Sequence, residues 1–118
     1  MLPARHRLRS STDFTSVVRG PGGSRSGGRL IVVHANQTAA RAGRPSRVGF
    51  VVSKSVGAAV ARNRTKRVLR HLLAARLDGI PDGCDLVVRA NPAAATASTA
   101  QLASELDRQL ARALRART

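Results

Sequence analysis

The chain has 118 residues, room for one modest apolar core and no second domain. Its 21 Lys and Arg against 6 Asp and Glu give a net charge of +15 and a pI near 12.0, which points to a polyanionic partner. A lone cysteine, Cys84, excludes an internal disulfide, and no apolar run approaches the roughly 18 residues of a membrane span.

The charge is unevenly spread. Between Asp13 and Asp78 there is no acidic residue, while 13 of the 21 basic residues fall there. A merely solvated surface would mix both signs. The opening from Met1 to Arg9 lacks the apolar stretch of a signal peptide, so a cytoplasmic protein with no membrane contact and no small-molecule substrate is the expectation. Residues 1–118 read as a single RNA-binding domain, in which 1–9 form a basic, flexible arm or a strip reaching toward RNA through Arg5, Arg7 and Arg9.

Ser10 or Ser11 caps a short helix through Asp13, Phe14, Val17 and Val18 that stops by Gly20. Gly20 to Gly28 reads as a glycine-rich loop bearing Ser and Arg, either a plain linker or a segment that reaches toward a phosphate chain. Leu30 to Ala35 and Val48 to Ser53 read as strands and as antiparallel neighbours, joined by a turn-like segment with Gly43 and Pro45. Alternation puts Leu30, Val32 and His34 on one face and Gly49, Val51 and Ser53 on the equivalent face of the other strand, with Phe50 and Val52 turned to the core.

From Gly57 or Ala58 to about Leu77 the pattern is helical, ended by Gly79, Pro81 and Gly83. Asp85 to Ala90 is a third strand, parallel to Val48–Ser53 because a helix joins the two. Ser98 with Gln101 has capping-box spacing, and Leu102, Leu106, Leu110 and Leu114 form one apolar helix face. The order α-β-β-α-β-α predicts an α+β two-layer sandwich: a small mixed sheet with helices on one face and an open cleft on the other.

The central helix carries the chemistry. At about 100° per residue, Arg62, Lys66 and Arg70 form a stripe that Asn63, Arg64 and Arg67 widen, while Val68, Leu69, Leu72 and Leu73 gather on another side. Uncompensated like charges at that spacing destabilise an isolated helix, so an anionic partner must supply the compensation.

The run Lys54, Gly57, Ala59-Val60, Arg62-Asn63-Arg64, Lys66-Arg67, Arg70 resembles the signature helix of the bacterial ribonuclease P protein family. Arg7-Leu8-Arg9 and Asp13-Phe14 are similar to that family's opening, Val48 to Lys54 to its central strand, and Asp85 to Val88 to its last strand. The resemblance covers about two thirds of the chain; the segments Gly20–Gly28 and Asn36–Arg47 carry none.

The resemblance implies a protein that assists a catalytic RNA in the magnesium-dependent cleavage that makes the mature 5′ end of tRNA, with magnesium held mainly by RNA. Its implied partners are the ribonuclease P RNA subunit and precursor tRNA. Carried over by residue, Lys54, Arg62, Asn63, Arg64, Lys66, Arg67 and Arg70 contact the RNA subunit, although an amide near a helix start, such as Asn63, can instead hold backbone groups. A cleft between the first helix and the open sheet face takes the single-stranded 5′ leader, through Phe14, Val18, His34, Val51, Ser53 and Arg89. Val18 and His34 stand where the family commonly has aromatics, Asn91 where it often has Arg, and Arg89 where it is usually apolar.

No catalytic or metal residue is expected in the protein. The six acids are scattered, and His6, His34, His71 and Cys84 lack zinc-ligand spacing. The alternative is a ribosomal or other structural RNA-binding protein without a nuclease role; a DNA architectural protein is more distant.

Overall fold

The computed structural model describes residues 2–20 and 23–115. The helices α1 (Ser11–Arg19), α2 (Ala59–Ala74) and α3 (Thr99–Arg115) surround the strands β1 (Ser24–Gly27), β2 (Ile31–Gln37), β3 (Arg47–Val51) and β4 (Cys84–Ala90). The order is therefore α-β-β-β-α-β-α, one strand more than the sequence pattern suggests. The α+β class and the mixed sheet are as expected.

Each helix starts where its sequence provides for it. The Ser10 hydroxyl accepts from the Asp13 N–H at 3.0 Å to cap α1. At α3, Gln101 N–H donates to Ser98 Oγ and Ser98 N–H to Gln101 Oε1, a reciprocal capping box. The entry to α2 turns at Gly57, whose φ of +145° is a conformation that L side chains rarely adopt. The helix ends at Ala74, earlier than its pattern suggests, and Leu77–Gly79 continue as a 3-10 turn.

The strand order is β1-β2-β4-β3. This corrects the expectation that β2 and β3 are neighbours: β4 lies between them, antiparallel to β2 and parallel to β3. The reason is burial. Six of the seven β4 residues are buried, so both its edges and both its faces need cover, and it takes a central position. The α2 crossover makes the β3–β4 pairing parallel, as the sequence predicts.

β1 lies in what reads as a linker. Pro21 and Gly22 of that segment fall outside the described residues, but Ser24–Gly27 pairs antiparallel with β2. With neither β-branched nor aromatic residues, it is held from below instead: Ser24 Oγ donates to the Ala113 carbonyl at 2.7 Å, and Ser26 Oγ to Gln109 Oε1.

α2 and α3 cover one sheet face. Ile31, Val33 and Ala35 of β2, Val48 of β3 and Leu86 and Val88 of β4 meet Leu69, Leu73, Leu102 and Leu106 there in the main core. Phe50 and Val52 pack against that core as expected. Leu30 does so too, which corrects its assignment to the face of Val32 and His34; it precedes β2 and does not follow the alternation. The buried carboxylate of Glu105 ties α3 to this strand start, accepting the Leu30 and Ile31 N–H groups at 2.6 and 2.7 Å.

α1 lies on the opposite face, where Leu8, Val17 and Val87 form a second small cluster with Phe14 and Val51 packed on it. The amino-terminal segment runs along the outer edge of β3. Arg7 bridges to Val48, Leu8 N–H donates to the Val48 carbonyl, the His6 ring contacts the Ser46 carbonyl at 2.7 Å, and Leu2 enters the main core.

Candidate nucleic-acid interface

Two surfaces collect the residues singled out in the sequence. The first is the outer side of α2 with the turn before it. Lys54, Asn63, Lys66 and Arg67 are exposed, and Arg62, Arg64 and Arg70 are half-buried. Asn63 lies inside the helix and does not cap it, since Ala58 occupies the cap. Arg64 turns toward the segment before α3, where its Nη2 donates to the Ala97 carbonyl at 3.5 Å. Arg62 has its Nε enclosed without a hydrogen-bond partner.

No α2 cation has an acidic partner among the described residues. Among the described residues, the ion pairs join Arg41 and Arg47 to Asp85, Arg47 to Asp13, Arg76 to Asp107, and Arg108 to Glu105. Four of the six acids are thus engaged away from the Arg62–Lys66–Arg70 stripe, which stays uncompensated. Such a face attracts phosphate by charge-assisted hydrogen bonds, bidentate from Arg.

The second surface is the sheet face under α1. Alternation and register lay its residues in rows across the strands. Arg25, His34, Val87 and Gly49 form one row; Gly27, Val32, Arg89 and Val51 form the next. A third row, Asn36, Asp85 and Arg47, lies toward the α1 start, where Arg47 bonds Asp85 at 2.7 Å and Asp13 at 3.3 Å, fastening α1 to the sheet. Asn36 Nδ2 adds a bond to the Ser16 carbonyl.

Phe14 and Val51 meet in the small apolar cluster, and His34 and Arg89 stand in adjacent rows. Val18 is 41% exposed on α1, outside that cluster. Ser53 lies past the end of β3, its hydroxyl bonded to that of Ser55. His34 is only 8% exposed, and burial first, then the charges of Arg25 and Arg89, hold its imidazole below the ordinary histidine pKa.

The two surfaces meet at a cavity of about 180 Å³ beside the β3 edge, where Phe14 and Phe50 face Lys66 and Arg70 of α2. Arg7 lines it as well, so the amino-terminal strip that the sequence offers to RNA supplies a cation here. Asn91 is structural: its amide donates to the Gly28 and Arg29 carbonyls. Arg25 was also missed, because β1 lacks the residue types that mark a strand.

A sequence model of the family described as Ribonuclease P matches residues 2–114. The chain is 53% identical over 112 residues to the ribonuclease P protein component of Acidothermus cellulolyticus, covering 95% of this chain and 91% of that protein. Its fold is similar to that of the Staphylococcus aureus RNase P protein, with a TM-score of 0.79 at 28% identity over 92% of this chain and 94% of the other. It is also similar to the Thermotoga maritima RNase P protein, with a TM-score of 0.76 at 27% identity over 92% and 97%.

Proposed function

Since the chain belongs to the ribonuclease P protein family, we propose that it is the protein subunit of a bacterial ribonuclease P, binding the catalytic RNA with one surface and the precursor tRNA leader with the other. Within that holoenzyme, which matures tRNA 5′ ends, the RNA subunit carries catalysis and the protein works by binding. The uncompensated cation face of α2 is the observation that supports this division of labour most directly.

On this reading Lys54, Arg62, Asn63, Arg64, Lys66, Arg67 and Arg70 engage phosphates of the RNA subunit, with Arg64 the least free because of its bond to Ala97. Across the β3 edge, Phe14 stacks a leader base, while Val18, His34, Val51, Ser53 and Arg89 line the path of the strand. Because mature tRNA lacks a leader, these contacts favour substrate over product.

The family's reaction depends on magnesium. Among the described residues no three His, Cys, Asp or Glu side chains come together, and Asp13, Asp85 and Glu105 are committed to arginines or backbone N–H groups. These residues do not fit a magnesium ion, and this reading leaves the metal to the RNA. No helix among the described residues is long and apolar enough to cross a membrane; a cytoplasmic setting is part of the proposal.

Reconstitution tests the reading. The protein mixed with a bacterial ribonuclease P RNA and a precursor tRNA at low magnesium should stimulate 5′ cleavage well above the RNA alone. Equal rates with and without protein would overturn it.

A further inference from the structure

The row that carries His34 does not end at the two central strands. Register places Arg25 of β1 directly opposite His34, and His34 opposite Val87, which in turn stands opposite Gly49 beneath the Phe14 ring. At a strand spacing of about 4.8 Å, Gly49 to Arg25 spans about 14 Å of sheet. Arg89 lies two residues from Val87, diagonal to His34, on the same face.

Three features make this end of the sheet a binding surface. Ser24 and Ser26 are bonded to α3, so Arg25 between them faces the opposite, open side and is exposed. Among the described residues, neither Arg25 nor Arg89 has an acidic partner, because Asp85, the acid on the neighbouring β4 row, is taken by Arg41 and Arg47. Both guanidinium groups also lie close enough to depress the His34 pKa, so two uncompensated cations flank one buried imidazole. Like charges held together without a counter-charge are an anion site by electrostatics alone.

We propose that Arg25 and Arg89 form a phosphate clamp beside His34 that extends the leader track across β1, gripping the backbone of single-stranded RNA upstream of the nucleotide stacked on Phe14. The occupant is a nucleic-acid phosphodiester, since among the described residues this end of the face offers exposed guanidinium donors, while the His34 imidazole between them is buried and gives a base little to stack on. The inference rests on the leader-binding reading above. Backbone contacts of this kind hold a strand without reading its sequence.

The test is a leader-length series on the reconstituted holoenzyme, comparing the parent protein with Arg25→Gln, Arg25→Lys and Phe14→Ala. With the parent, affinity should rise with leader length until the strand reaches β1. Arg25→Gln should lower affinity about threefold to tenfold for long leaders only, with a shallower salt dependence, and Arg25→Lys should restore most of it. Phe14→Ala should weaken leaders of every length.

A loss at Phe14 with none at Arg25 would overturn the clamp while leaving the leader reading intact. Equal Arg25→Gln losses for long leaders, short leaders and mature tRNA would also overturn it, by placing Arg25 on other RNA. Unchanged affinity in both variants would sink the leader reading and the clamp together.

Discussion

The ring of Phe14 lies so close over Gly49 that a methyl group built on that glycine would collide with Phe14 Cζ. The absent side chain at 49 is what allows α1 to sit on the sheet with the outer end of its aromatic ring directly over β3. Gly49→Ala should therefore displace the ring and destabilise the protein by about 1–3 kcal/mol, the usual cost of overpacking. Denaturant unfolding measures this. In a double-mutant cycle Phe14→Ala should relieve much of the loss, and strict additivity would mean that the contact is unimportant.

Phe14→Ala in the holoenzyme should weaken precursor tRNA by about 1 kcal/mol, the lower end of base stacking, because Val18 and His34 provide no neighbouring phenyl ring. Mature tRNA should be little affected. Equal losses for both substrates, measured by equilibrium binding, would reduce Phe14 to a packing residue.

Glu105 accepts two buried backbone N–H groups at the start of β2. Glu105→Leu leaves both donors unsatisfied and should cost about 2–4 kcal/mol of stability. Glu105→Gln keeps an accepting oxygen and should cost clearly less. Similar losses in thermal or denaturant unfolding would show that Glu105 acts through its charge, not its hydrogen bonds.

The depressed pKa of His34 makes a prediction about acid stability. With its folded pKa below the unfolded value of about 6.5, the unfolded state binds more protons between the two. The His34 contribution is thus fully present above about pH 6.5 and is lost as pH falls through the folded pKa. His34→Gln should flatten the slope of unfolding free energy against pH in that window. An unchanged slope would place the titrating group elsewhere.

Elements with strong local signals were legible in the sequence. The Ser10 cap, the Ser98–Gln101 box and the leucine face of α3 each depend on residues a few positions apart, and all three are found. What depends on distant partners was not. β1 exists because Ser24 and Ser26 meet α3 from 80 or more residues away in the chain, and β4 enters between β2 and β3 because its burial demands two neighbours. Leu30 breaks the alternation for a similar reason, its N–H being held by Glu105.

The candidate interface divides the same way. The Arg62–Lys66–Arg70 stripe follows from helical period alone and is found on α2. That Arg64 leaves it for the Ala97 carbonyl, and that Arg25 joins the sheet-face surface, are consequences of tertiary register with no local mark.

The account stands on the claim that this stripe binds the RNA subunit mainly through phosphates. Each phosphate contact should contribute about −0.7 to −0.9 to the slope of log affinity against log salt. Replacing Arg62, Lys66 and Arg70 together by Gln, a good helix former, should preserve the circular dichroism of the parent and flatten that slope by about two to three units. A folded triple variant whose RNA affinity and salt slope equal the parent's would show that the stripe is only a solvated helix face.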